Sequence, residues 1–218
     1  MAYQFPKAIT FKFALLALAW PVFGMGGLAV AQTSGVNGEF NSDQLDSSFS
    51  VYVPQSGPTF SLSANPGFLR MQLPASTSFD HWDRQDSAPQ VRFHPPSTNW
   101  EITTRLQLVG PSGNQAYHAG LMIYFSRFDI FYWGLYRGQE VWLERSGTSA
   151  VLREISAARD LELKVTKHGI NYFFSYRFFG SESWTLLGVQ STPNTPQFVG
   201  LIAARPEMST LKPAPKVT

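Results

Sequence analysis

The chain has 218 residues, 44% of them hydrophobic and 15% aromatic, enough apolar material for one sizeable core, which excludes disorder throughout. Of its 17 Lys and Arg residues, Lys7 and Lys12 fall within the first 31 positions, which hold no acid; the remainder equal the 15 Asp and Glu in number. No basic run is left to track phosphates, so nucleic acid is excluded as a partner, and the absence of cysteine excludes disulfides, thiolate catalysis and Cys-ligated zinc.

Residues 1–31 read as a secretory signal peptide. Lys7 and Lys12 supply the positive region, 13–20 the apolar stretch, and Ala29, Val30 and Ala31 the small-x-small cleavage site before Gln32. Pro21, Gly24, Gly26 and Gly27 break the apolar run, leaving it short of the roughly 20 residues a membrane span needs. The expectation is an exported protein, periplasmic or secreted, with no stable membrane span after cleavage.

A lead-in at 32–38 is expected to be flexible, and a single domain is expected over 39–205. Within it, 18 Phe, 8 Tyr and 6 Trp suit pleated, half-buried surfaces. Segments 68–73 and 100–108 alternate strictly: Leu69, Met71 and Leu73 share one face, as do Ile102, Leu106 and Leu108, with Arg70, Gln72, Glu101, Thr103, Arg105 and Gln107 opposite. Segments 119–125 and 130–136 are almost continuously apolar and predict central strands joined by a short turn. Further strands are predicted at 139–145, 161–167, 170–178, 185–188 and 198–204, giving about ten in all. No helical period is sustained. Residues 206–218, rich in proline and without alternation, predict a disordered tail.

Several stretches, taken in order, carry a family resemblance. They are 40–45; Phe79, Asp80, His81 and Trp82; Ala88 and Pro89 leading to 100–105; Ala119, Gly120 and Leu121; 161–165 with His168 and Gly169; Tyr176 followed by Ser183 and Trp184; and Val199, Gly200 and Leu201. This succession resembles the concanavalin A-like domain at the C-terminus of bacterial β-xylosidases and in stand-alone bacterial proteins of unknown function. The family's usual Ser, Asp and Gly before the late tryptophan is replaced here by 179–184, without an aspartate. The resemblance implies an all-β, two-sheet antiparallel β-sandwich of concanavalin A-like jelly-roll type, with a concave face that holds sugars in related folds. In the xylosidases the domain is an accessory to a separate catalytic domain.

Three chemistries compete. A glycosidase needs two carboxyls roughly 5 to 9.5 Å apart; Glu140 and Glu144 share a strand face, but four residues at ~3.3 Å each separate their backbones by about 13 Å. The Glu-x-Asp-x-x-Glu pattern of sandwich-fold glucanases is absent. Asp80, Asp83 and Asp86 recur every third residue and offer the oxygens Ca²⁺ takes; the competing account is a solvated acidic turn balanced by Arg84. Beyond that Ca²⁺ candidate no cofactor is expected, and His81, His94, His118 and His168 show no metal-ligand pairing and are expected to be partly exposed.

Sugar binding has the most residues behind it, because pyranose C–H faces stack on Trp and Tyr while nearby polar groups take the hydroxyls. Trp142 must share its strand face with Glu140 and Glu144, since Val141 and Leu143 take the other, and Tyr132 and Tyr136 share a face opposite Trp133. Trp100 and Trp184 are expected in the core. The expected ligand site comprises His81, Trp82, Asp83, Tyr136, Arg137, Glu140, Trp142 and Glu144, its partner an oligo- or polysaccharide and its action non-catalytic. The alternatives are a structural or protein-interaction sandwich with no glycan site and a divergent glycoside hydrolase.

Overall fold

The computed structural model describes residues 8–16, 38, 40–74, 77–81, 86–96, 99–109, 117–146, 151–155 and 160–205. Sheet A joins, in spatial order, β13 (Thr185–Ser191), β12 (Asn171–Phe178), β11 (Asp160–His168), β6 (Trp100–Val109), β1 (Ala8–Leu16), β4 (Leu69–Gln72) and β3 (Thr59–Ser61). Sheet B joins β10 (Val151–Glu154), β9 (Glu140–Arg145), β8 (Asp129–Tyr136), β7 (His118–Ser126), β14 (Phe198–Ala204), β5 (Gln90–Phe93) and β2 (Ser50–Tyr52). The pairings in both sheets are antiparallel. Among the described residues there is no helix, and so none long and apolar enough to cross a membrane.

The alternation read from the sequence is what closes the sandwich. On β6, Trp100, Ile102, Leu106 and Leu108 are buried, with Thr104 completing the inward row. On β8, Phe131, Trp133 and Leu135 point into the same core, as do Val141 and Leu143 of β9 and Leu121 and Ile123 of β7. The two sheets meet through edge-on aromatic pairs: Trp133 with Phe174 (ring centroids 5.9 Å apart), Phe131 with Tyr172 (5.4 Å) and Phe125 with Tyr172 (5.7 Å). With no disulfide available, burial of these large rings, at about 25 cal/mol per Å² of apolar surface, supplies the main attraction between the layers.

Three departures have physical reasons. β2, β3, β5 and β10 have three or four residues each, too few for a period of two to stand out from a loop. The strand expected at 185–188 runs on to Ser191, paired along β12 through a bulge between Phe174 and Ser175. The third concerns the stretch read as a leader. Ala8–Leu16 lies as a strand between β6 and β4, paired with β6 from Ala8 opposite Val109 to Leu16 opposite Glu101. An apolar run of this length suits the hydrophobic part of a signal peptide and a buried strand alike. Residues 206–218, and 32–38 apart from Gly38, lie outside the described residues.

Candidate functional site

Because successive side chains alternate, the strands of sheet B present a second face, turned away from sheet A. Reading across register, one row carries His118 of β7, Tyr136 of β8 and Glu140 of β9; the next carries Gly120, Gly134 and Trp142; the third carries Met122, Tyr132 and Glu144. As the sequence predicts, Tyr136, Glu140, Trp142 and Glu144 are thus brought onto one face, with Tyr132 beside them and Trp133 in the core.

The glycine pair shapes the middle of this face. Gly120 and Gly134 stand opposite each other, and a Cβ added to either would meet the backbone of the adjacent strand: 2.1 Å from the Trp133 carbonyl oxygen at Gly120, and 2.1 Å from that of Ala119 at Gly134. With no side chain rising there, rings from β7 and β9 meet over β8. His118 and Trp142 have ring centroids 4.9 Å apart although their strands are second neighbours, whose backbones lie about 9.5 Å apart. Tyr136 packs against Trp142 at 4.8 Å and Tyr132 against His118 at 6.0 Å.

Residues 79–81 and 86–89 roof part of the face. Their neck is closed by Asp80, whose carbonyl oxygen accepts from the amides of Ser87 (2.7 Å) and Ala88 (3.0 Å), and whose amide donates to Ser87 Oγ (2.8 Å). The Tyr132 hydroxyl donates to the His81 carbonyl oxygen at 2.6 Å, tying roof to floor. His81 sits with its ring 5.9 Å from that of Tyr132 and its Nδ1 2.7 Å from Asp86 Oδ1, and the Tyr52 hydroxyl donates to the other Asp86 oxygen. Beyond it, Arg92 donates from Nε to Gln90 and lies over the Tyr52 and Phe198 rings.

The electrostatics are those of a dry cluster. Glu144 is 1% exposed, and neither of its carboxylate oxygens accepts a hydrogen bond of normal geometry. Burial pushes its pKa up to about 8, against a smaller opposing pull from the Trp142 indole. Burial raises Asp80 to about 6 and lowers His118 to about 3, so His118 is neutral. His81 is likewise lowered by burial, an effect Asp86 partly offsets, while Tyr132 is raised by burial and by the nearby charge of Glu144. Trp142, Glu140 and Arg137 are partly exposed and form the accessible margin of the cluster. Arg137 sits in the β8–β9 turn at φ 55°, its guanidinium 4.8 Å from the Tyr136 ring.

Several sequence expectations need correction or fall elsewhere. His81 and His118 are buried rather than partly exposed, because the roof and the ring cluster enclose them; His94 and His168 are exposed. Trp184 is not in the core: it lies half-buried between Lys164 Nζ (4.4 Å) and Arg177 Cζ (4.5 Å), cations that screen it from water. Trp82, Asp83 and Arg84 lie outside the described residues. Of the calcium candidates, Asp80 is buried in the neck and Asp86 is engaged by His81 and Tyr52, so the acidic turn is not simply solvated. No group of three potential metal ligands converges among the described residues. Glu140 and Glu144 remain two rows apart, opposite Tyr136 and Tyr132. His118 was missed as a site residue, although glycines at Gly120 and Gly134 inside apolar strands already signal a close approach at that place.

A two-sheet antiparallel sandwich with these faces is a concanavalin A-like domain, and solved structures agree. A GH43B protein of a Bacteroides ovatus xyloglucan locus superposes with a TM-score of 0.61 at 15% identity, over 76% of this chain and 34% of that one. A xylan β-1,4-xylosidase from Bacillus halodurans gives 0.55 at 16%, over 80% and 36%. A protein of unknown function from Saccharomyces cerevisiae gives 0.56 at 16%, over 74% and 89%. The chain therefore spans about a third of the length of these two bacterial proteins. No curated protein matches it. The model of the β-xylosidase C-terminal concanavalin A-like domain matches residues 37–205, and the chain belongs to that family.

Proposed function

We propose that this domain binds carbohydrate without catalysing its hydrolysis, and that the ligand lies on the outward face of sheet B against Trp142. The observation that carries the reading is the gathering of Tyr132, Tyr136, His118 and Trp142 around a glycine floor, with Glu140 and Glu144 on the same face. Aromatic faces suit pyranose C–H surfaces, and carboxyls and imidazoles suit hydroxyls. Arg137 and His81 border the cluster. Intrinsic tryptophan fluorescence, titrated with oligosaccharides of xylan, xyloglucan and chitin type, tests the reading. A saturable shift that Trp142→Ala abolishes while the circular dichroism stays β-type is expected; a folded protein that binds none of these glycans rejects it.

Export is part of the proposal, with cleavage after Ala31. The expected result is a protein recovered outside the cytoplasm whose intact mass begins at Gln32. A mass that retains Ala8–Leu16 points instead to that segment staying as the strand between β6 and β4. A protein-docking reading is favoured by one feature, the sheet-edge strand β13, which exposes Leu186 (53%) and Val189 (45%).

A further inference from the structure

Resting on the carbohydrate reading, we propose that the cluster selects a positively charged sugar, the ammonium group of a hexosamine unit, with Glu144 as its counter-ion and Trp142, Tyr132 and Tyr136 as the aromatic walls. Several observations lead there. Glu144 is buried to 1% exposure and accepts no hydrogen bond of normal geometry, and with only the Trp142 indole to favour its charge it keeps its proton; a cation beside it would stabilise the ionised form. Its neighbours are rings: Tyr132 directly across the ladder and Trp142 two residues before it on the same face, with Tyr136 packed on Trp142. Aromatic faces attract cations, and most strongly where water is excluded.

Among the described residues, the cations nearest Glu144 are committed elsewhere. Arg145, the next residue, is bound to Asp129 at 2.8 Å. Arg92 is held by Gln90 and by the Tyr52 and Phe198 rings, and Arg137 lies on Tyr136 at the margin. Among the described residues, the groups enclosed with Glu144 are Asp80, His81 and His118, none of them a lysine or arginine. Asp80 and Asp86 act on Tyr132 together with Glu144, whereas His118 and His81 are disfavoured as cations by their burial. A neutral sugar leaves Glu144 holding its proton, whereas an ammonium group pairs with the ionised carboxylate and stacks on the rings in the same step. The partly exposed Trp142 and Glu140 give the approach from solvent.

The experiment is isothermal titration of the full chain with three ligands of equal length, one charged and two neutral: a glucosamine tetramer, its N-acetylated counterpart and xylotetraose. The glucosamine tetramer is expected to bind at least ten-fold more tightly than the other two, and Glu144→Gln to remove that preference. Equal or tighter binding of the neutral sugars, with Glu144→Gln indifferent, overturns the charge preference and leaves carbohydrate binding standing. Absence of binding to all three overturns both. Should Glu144→Gln not fold, the unsubstituted protein decides: tetramethylammonium chloride should shift its tryptophan fluorescence and compete with the glucosamine tetramer, sodium chloride at equal ionic strength should not, and identical behaviour of the two salts rejects the proposal.

Discussion

On the outward face of sheet A, Arg105 grips both oxygens of Asp160 (2.8 and 2.6 Å), Gln107 joins the same carboxylate, Arg177 pairs with Glu162, and Lys164 approaches Glu101 at 3.8 Å. Each of these charges has an opposite charge beside it and stays within reach of water. On the outward face of sheet B, Glu144, Asp80 and His118 are enclosed and their protonation is shifted by burial before any partner charge. Strand alternation produces both faces equally well. The difference is that a roof segment and a ring cluster cover one of them, and a covered titratable group without a counter-charge is a structural cost that a ligand can offset.

The largest effect that would break this contrast is at the glycine floor. Gly134→Ala places a methyl group 2.1 Å from the Ala119 carbonyl oxygen, and a loss of roughly 3 kcal/mol or more, or no folded protein, is expected by thermal unfolding. Gly169→Ala is the control: its Cβ meets nothing within 4 Å, although its φ of 59° still costs about 1 kcal/mol. A floor that tolerates alanine as readily as this turn would remove the reason His118 and Trp142 meet.

Next in size are the pH limbs. Folded Glu144 holds its proton up to about pH 8 but releases it near 4.5 when unfolded, so the folded state binds more protons in that window and stability falls as pH rises through it. Between about pH 6 and 8 the slope should be on the order of 1 kcal/mol per pH unit, and Glu144→Gln should flatten it; below about pH 6 Asp80 contributes in the same direction. His118 works the other way. Its pKa falls from 6.5 to about 3 on folding, so the unfolded state binds more protons there and stability drops as pH falls through that range. His118→Phe should flatten the acid limb. Urea midpoints across the pH range read both, and unchanged limbs would mean the two groups are solvated.

The smallest effect belongs to sheet A. Asp160→Asn, which weakens a partly exposed pair, should cost about 1 kcal/mol or less and lose most of that in molar salt. A larger, salt-insensitive loss would show that the ion pairs of sheet A are as structural as the dry cluster of sheet B.

Much of this was legible in the chain itself. A period of two is a local property of the extended backbone, so Val141 and Leu143 opposite Glu140, Trp142 and Glu144, and Trp133 opposite Tyr132 and Tyr136, follow from the order of residues alone. The family succession and the two-layer architecture follow with them. Which of the two outward faces is covered did not. That depends on residues far apart in sequence, such as the Tyr132 hydroxyl donating to His81, 51 positions away, and His118 crossing a glycine to reach Trp142. Trp184 shows the same limit: its apolar ring suggested the core, and two cations from neighbouring strands hold it on the surface instead. Alternation assigns a side chain to a face; only packing between distant segments decides whether that face is wet or dry, and with it which carboxyls are charged and which are candidates to bind.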